Sequence, residues 1–414
     1  MKTRAPGSPS ALRDLNRERA VTALRTNGQM TQADLVRVTG LSAATISTLV
    51  RELTTDGRVE VLEMPAGRRG RMLRLARERG LVIGIDLGHT HVRMALADLS
   101  RHVLSEVLRP LDVDSSPPDA LNAIVALGHG LLADAGADPD EVLGLGLGVP
   151  GPIDASGVAV SSESILPGWY GTDIPAELKK RWDRPVLVEN DANLGALGEF
   201  TWGAARGCST AVYLTVGSGV GAGLVLDGKL FRGAEGSAGE IGHVSLDPNG
   251  QVCRCGNRGC FETVIGSGHL LRLLEQSHGR LTVDELLARA AEGDPGCRRV
   301  IADAGHAAGL AVGQLCNVLN PEVVVVGGQL ATSGETFLGP LRQTAARMTA
   351  PSVAQKLRIL PAELGARAEV LGAVVLVLSS PVASAHNGAL APVAASSAPT
   401  ALDELATARQ VAVR

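Results

Sequence analysis

Residues 240–262 read Glu-Ile-Gly-His-Val-Ser-Leu-Asp-Pro-Asn-Gly-Gln-Val-Cys-Arg-Cys-Gly-Asn-Arg-Gly-Cys-Phe-Glu. Three thiols and one imidazole, those of Cys253, Cys255, Cys260 and His243, stand close together in this stretch. Three thiolates and an imidazole make a closed tetrahedral set for Zn²⁺, with no position left for water, so the expected role is structural. The Gly and Asn residues between the ligands permit the tight turns that bring them together. The remaining cysteines, Cys208, Cys297 and Cys316, sit in apolar or helical surroundings and read as packing residues.

Outward from this loop, the chain reads as strands alternating with helices. Leu81–Leu87 and Val92–Leu99 flank a Gly88-His89-Thr90 turn, and Thr210–Val216 and Ala222–Leu226 flank Gly217-Ser218-Gly219. Leu143–Val149, Pro185–Glu189 and Val323–Val326 are further apolar runs, the last entering Gly327-Gly328. Amphipathic periodicity predicts helices over Leu121–Asp134, Ala192–Phe200, Leu281–Ala291 and Arg298–Leu319. The alternation implies an α/β fold. Aromatic residues are only 2% of the chain, so the core must be aliphatic, and 50 glycines allow close backbone approach.

The first eighty residues have a different texture. Helical spacing runs from Leu12 to about Arg25 and over Gln32–Val38, with Thr31 as a cap. After a Thr39-Gly40 turn, Ser42 caps a third helix, Ala43–Thr55. Strands Val59–Met64 and Met72–Leu75 then form a hairpin around Pro65–Arg71. This is the layout of a winged helix-turn-helix. Ser42, Ala43, Thr45, Ser47 and Thr48 would reach bases or phosphates from the third helix, and Arg68, Arg69 and Arg71 would enter a minor groove from the wing. A three-helix protein-interaction module is the competing reading. Residues 1–79 carry 15 Lys/Arg against 8 Asp/Glu, whereas the remainder carries 24 against 35; this suggests a polyanion partner for the module, though charge alone fits a solvated surface equally well.

We expect a disordered segment at 1–11, a DNA-binding domain at 12–78, a two-lobed domain at 80–380 and a disordered Ala/Ser/Pro-rich tail at 381–414. The polar start has no secretory signature, and no apolar run is long enough to span a bilayer. The expectation is a cytoplasmic protein with no membrane partner.

The two Gly-rich turns suggest two lobes clamping a phosphate, with Asp86 placed to hold Mg²⁺ through water. Asn190-Asp191 follows a buried strand. Asp191 could accept a proton from a sugar hydroxyl, or could simply cap the next helix; spacing leaves both open. Glu240, His243 and Glu262 could bind sugar hydroxyls or brace the zinc.

These motifs resemble the ROK family of repressors, open reading frames and kinases. The resemblance is carried by Glu240-Ile-Gly-His243, Cys253-Arg-Cys-Gly-Asn-Arg-Gly-Cys260-Phe-Glu262, Glu189-Asn-Asp-Ala-Asn193, Gly148–Asp154 and Leu166-Pro-Gly-Trp169, and it covers roughly residues 12–380. It implies an actin-like ATPase fold of two ribonuclease-H-like lobes. By the same resemblance, Asn190, Asp191, Glu240, His243 and Glu262 would bind a hexose-type sugar, with Asp191 as base in a kinase. Asp86, Gly88, Thr90, Gly217, Ser218 and Gly219 would meet ATP phosphates, and Gly327 and Gly328 the adenosine side. Kinases of the family usually read Asp-x-Gly-Gly-Thr-Lys at the first turn, where this chain has Asp86-Leu-Gly-His-Thr-His91. The expectation is therefore a sugar-responsive regulator of carbohydrate genes. It would act as a homodimer or tetramer on double-stranded operator DNA, with ATP-dependent sugar kinase activity as the alternative.

If the wing arginines contact phosphates, replacing Arg68, Arg69 and Arg71 by Gln lowers the slope of log K against log[salt] by about 0.9 per lost contact. Fluorescence anisotropy over a salt series measures this, and an unchanged slope removes the arginines from the interface.

Overall fold

The computed structural model describes residues 13, 15–17, 19–21, 23–24, 29–62, 71–75, 80–114, 116–153 and 166–382. Arg68 and Arg69, the segment 1–11 and residues 383–414 lie outside these.

In the N-terminal module the described residues between 13 and 24 are helical (α1). They are followed by β1 (Met30–Thr31), α2 (Gln32–Thr39), α3 (Ala43–Thr55), β2 (Val59–Leu62) and β3 (Met72–Leu75). Thr31 and Asp34 form a reciprocal capping box on α2. Gly40, at φ 69°, takes the left-handed turn that only glycine adopts cheaply, and the chain bends by 117° into α3. That angle is the one a helix-turn-helix requires. Ser42 caps α3, whose Ile46, Leu49, Val50 and Leu53 are buried. Leu24, Leu35, Ile46, Leu53, Val59 and Leu73 make the small core, and β1, β3 and β2 form the wing sheet in that order.

The rest of the chain holds two five-stranded sheets. The first contains β4 (Leu81–Gly88), β5 (His91–Asp98), β6 (Val103–Pro110), β7 (Val142–Val149) and β8 (Val186–Asn190), in the order β6-β5-β4-β7-β8. The second contains β9 (Ala211–Val216), β10 (Val220–Leu226), β11 (Lys229–Leu230), β12 (Val323–Gly327) and β13 (Arg358–Pro361), in the order β11-β10-β9-β12-β13. The two orders are the same. In each, three antiparallel strands are followed by two parallel ones. Sequence periodicity predicts neither β6, β11 nor β13.

Helices α4 (Pro117–Ala135) and α5 (Ile174–Lys179) belong to the first lobe. Between β8 and β9 lies α6 (Asp191–Thr201). The second lobe adds α7 (Phe261–Ile265), α8 (Ser267–His278), α9 (Val283–Glu292), α10 (Pro295–Leu319), α11 (Glu335–Met348) and α12 (Pro351–Ala354). Finally, α13 (Ala368–Leu378) follows β13. Pro381 and Val382, assigned to the tail in the sequence reading, are still helical.

The two connecting helices exchange partners. α6 follows the first sheet but packs on the second, where Ala196 joins Ala211, Tyr213 and Val225. α13 follows the second sheet but packs on the first, where Val370, Leu371 and Val374 meet Val82, Ala95 and Leu143. They cross each other at glycines. A Cβ on Gly372 would lie 1.8 Å from the Leu194 carbonyl oxygen, and one on Gly198 would lie 2.3 Å from that of Ala368. No side chain fits between backbones that close.

Gly372→Ala should destabilise the protein by about 1–3 kcal/mol, because the obstacle is backbone and cannot swing aside. Gly130→Ala is the control: it sits exposed in α4 with open space around its Cβ position, so the change should stabilise by up to about 1 kcal/mol. Denaturant titration reads both, and equal midpoints would contradict the close crossing.

Candidate functional site

A cleft of about 200 Å³ opens between the sheets. The first lobe contributes His89, Pro150–Pro152, Asn190 and Asp191; the second contributes Thr215 and the Gly217–Ala222 turn. The 239–262 hairpin closes one wall with Glu240, His243, Arg254 and Glu262. Of the residues predicted to meet ligand, Asn190, Asp191, Glu240, His243, Glu262, Gly217, Ser218 and Gly219 line this space. Asp86, Gly88, Thr90, Gly327 and Gly328 do not.

The question left open at Asp191 resolves on geometry. The cap of α6 is Asn190, whose side-chain oxygen accepts the Asn193 N–H at 3.2 Å. Its Nδ2 donates to the Gly151 carbonyl at 3.0 Å, so its amide is largely spent on local structure. Asp191 is left facing the cleft, accepting only the Ala192 N–H at 2.7 Å. Enclosure pushes its carboxyl up to about 7, and the nearby Asp86 and Glu240 carboxylates add to the rise. Burial likewise raises Glu240, reinforced by Glu262.

Glu369 was not anticipated from the sequence. It stands in the first turn of α13, accepts the Tyr213 hydroxyl at 3.0 Å and is pushed up to about 8, chiefly by burial and next by Asp86. The available signal was a lone acid opening the apolar run Ala368–Leu378. His89 and Arg254 were also missed as cleft residues. Arg254 donates to Glu262 Oε2 at 2.9 Å, and the same oxygen accepts the Val220 N–H at 3.2 Å.

The first Gly-rich turn is occupied by its own side chains. A Cβ on Gly88 would lie 2.3 Å from Cε1 of His91, so that imidazole lies across the glycine. His91 Nε2 is 3.3 Å from Asp86 Oδ2, and His89 Nδ1 is 2.9 Å from Asp114 Oδ1. At the far turn, Gly327 faces the Tyr213 ring and Gly328 lies against the backbone of Val216.

In the hairpin, the donor atoms of His243, Cys253, Cys255 and Cys260 all lie within 4.8 Å of one another. His243 Nδ1 is 3.6 Å from Cys253 Sγ, and Cys255 Sγ is 3.7 Å from Cys260 Sγ. Isolated bridges Ser245↔Cys260 and Val252↔Arg258 fold the loop so that the four converge. This donor set fits a metal ion. His243 turns its other nitrogen, Nε2, toward Glu240, 3.7 Å away.

In the N-terminal module, Ser42, Ala43, Ser47 and Thr48 are exposed on α3, Thr45 is half-buried, and Arg71 is exposed. The Ser42 hydroxyl accepts the Thr45 N–H at 3.2 Å as the helix cap.

A duplicated α/β fold with a polar cleft, preceded by a winged helix-turn-helix, defines the class: a sugar-kinase-like regulator. The chain belongs to the ROK family, whose model matches residues 82–380; a second model, a domain of unknown function (DUF7343), matches 14–70. A xylose repressor of Caldicellulosiruptor bescii is 30% identical over 391 residues, covering 90% of this chain and 98% of the relative. A glucokinase of Thermotoga maritima is 32% identical over 311 residues, covering 72% of this chain and 96% of the relative. Among solved structures, a ROK family transcriptional regulator described as a homologue of the E. coli MLC protein superposes with a TM-score of 0.66 at 24% identity, covering 88% of this chain and 96% of that one. Among the described residues no single helix is long and apolar enough to cross a membrane.

Because Asp191 sits near 7, a ligand hydroxyl that donates to its carboxylate binds better as pH rises. The ionised fraction grows about tenfold from pH 6 to pH 8, and affinity should follow it. Calorimetry across that range checks this, and Asp191→Asn should abolish the pH dependence.

Proposed function

We propose that the chain is a cytoplasmic, sugar-responsive repressor that binds operator DNA through its winged module and a sugar between its lobes. The observation that carries this reading is the helix-turn-helix joined to a sugar-kinase-like cleft whose first phosphate turn is covered by His91. Asp191, Glu240, His243 and Glu262 would accept or orient sugar hydroxyls, with Asn190 supporting the floor. The match to a xylose repressor over 90% of the chain, a span that must include at least part of the N-terminal module, supports a DNA-directed role.

His243, Cys253, Cys255 and Cys260 would hold Zn²⁺ as a structural cross-link of the hairpin. The same hairpin carries Glu240, Arg254 and Glu262, so the metal would fix one wall of the sugar site. Two copies would present paired recognition helices and wings to half-sites about one helical turn, or a multiple of it, apart. Ser42, Ala43, Thr45, Ser47, Thr48, Arg68, Arg69 and Arg71 would face the duplex. Sugar closing the lobes would alter that pairing by its differential affinity for the two states, typically about 1–3 kcal/mol.

The glucokinase match and the freely facing Asp191 favour a second reading, an ATP/Mg²⁺-dependent sugar kinase, with Asp191 as base and the Gly217–Gly219 turn on the phosphates. The pairing of His91 with Asp86 weighs against it, since it engages the carboxylate that would face the metal ion.

Gel shifts on the protein's own promoter region with a sugar panel test the first reading. Sequence-specific binding that responds to a sugar is expected, and none under any condition overturns it. In an ADP-release assay the wild type should match Asp191→Asn at background; clear turnover lost in that variant would establish the kinase instead. Cys255→Ser should lose zinc by mass spectrometry and weaken sugar binding.

A further inference from the structure

The charges around the cleft are unevenly satisfied. Of the basic side chains that line it, Arg254 is held by Glu262 at 2.9 Å and His89 lies 2.9 Å from Asp114; outside the lining, His91 pairs with Asp86 at 3.3 Å and Arg232 with Glu189 at 2.6 Å. The carboxyl groups facing the interior are not matched in the same way. Asp191 receives only a backbone N–H. Glu240 has no hydrogen-bonded cation: His243 Nε2 stands 3.7 Å away, and the charge of Arg254, already held by Glu262, reaches it only from a distance.

Two backbone donors of the second Gly-rich turn are also engaged: Gly217 N–H is directed to the Gly219 carbonyl at 2.9 Å, and Val220 N–H to Glu262 at 3.2 Å. Helix N-termini normally attract anions, but the first turn of α6 already carries the Asp191 carboxyl.

We propose that this cleft selects uncharged polyhydroxy ligands and excludes their phosphorylated or carboxylated forms by charge. A neutral sugar can satisfy Asp191, Glu240 and Glu262 through its hydroxyl donors. An added phosphate or carboxylate would face those acids with no uncommitted described cation to receive it. In a water-poor site such a like-charge contact is screened little. The inference rests on the sugar-effector reading above and names its ligand class: the free sugar, not its phosphate.

The test is calorimetry of the full chain against matched sets: glucose, glucose 6-phosphate and glucuronate; N-acetylglucosamine and its 6-phosphate; xylose and xylonate. For whichever neutral sugar binds, the charged counterpart should bind at least ten times more weakly. Glu240→Gln should narrow that ratio, whatever it does to either affinity alone. A charged counterpart that binds as tightly as the neutral sugar overturns the proposal and leaves the sugar-effector reading standing. So does a ratio unchanged by Glu240→Gln, because exclusion would then come from shape. Binding by no sugar of either kind overturns both.

Discussion

The backbone contact between α6 and α13 is the constraint on which the two-lobed structure depends. Each helix leaves one sheet and lies on the other, so the two must cross between the sheets. They can do so only if neither carries a side chain at the crossing, and Gly198 and Gly372 meet that condition. The sheets make the same concession. A Cβ on Gly84 of β4 would lie 2.4 Å from the Val370 carbonyl oxygen, and one on Gly223 of β10 would lie 2.4 Å from that of Ala192. An aliphatic chain with few aromatic residues thus gains density by bringing backbones together rather than by filling space with rings. The crossing also sets the chemistry. It sets the first turn of α6, with Asp191, at the cleft, and brings Glu369 in the first turn of α13 onto the Tyr213 hydroxyl.

From that frame, the site is built by two additions. The hairpin of residues 239–262 supplies a wall whose polar groups come from one short segment, so their mutual positions depend on how that segment is cross-linked. The first Gly-rich turn supplies the opposite edge, and here two imidazoles replace the open loop a nucleotide needs. His91 covers Gly88 and reaches Asp86, and His89 turns to Asp114. The residues proposed to hold a sugar line the cleft, while the first Gly-rich turn is engaged with itself. That combination belongs more naturally to a sensor than to an enzyme.

Much of this could be read from the sequence. α3 was legible to the residue because Ser42 marks its start and Ile46, Leu49, Val50 and Leu53 give an unambiguous helical stripe. β7 and β12 were legible because they are continuous apolar runs, and β4 and β5 because mostly apolar stretches flank the Gly88-His89-Thr90 turn. β6 was not, since half of it faces solvent and its sequence, Val-Leu-Ser-Glu-Val-Leu-Arg-Pro, has no clean alternation. β11 has two residues and β13 four, too few for any period to register. The convergence of His243, Cys253, Cys255 and Cys260 announced itself through residue type and spacing. Arg254 and His89 did not, because their importance lies in where the fold turns them. Glu369 needed the crossing of α6 and α13 to become visible, and helix periodicity carries no information about which sheet a helix will cover.

The order of the elements along the chain has a consequence for biosynthesis. The face of the first sheet formed by Val82, Ala95, Ala97 and Leu143 is covered by α13, which follows every strand of both sheets along the chain. Until residues 368–378 emerge, that apolar surface lacks its lid while the second lobe is still being made. The first lobe therefore cannot mature ahead of the second, and the nascent polypeptide must carry an exposed greasy face through most of its translation. A ribosome stalled anywhere short of α13 would release a product suited to chaperone capture rather than an independently folded half.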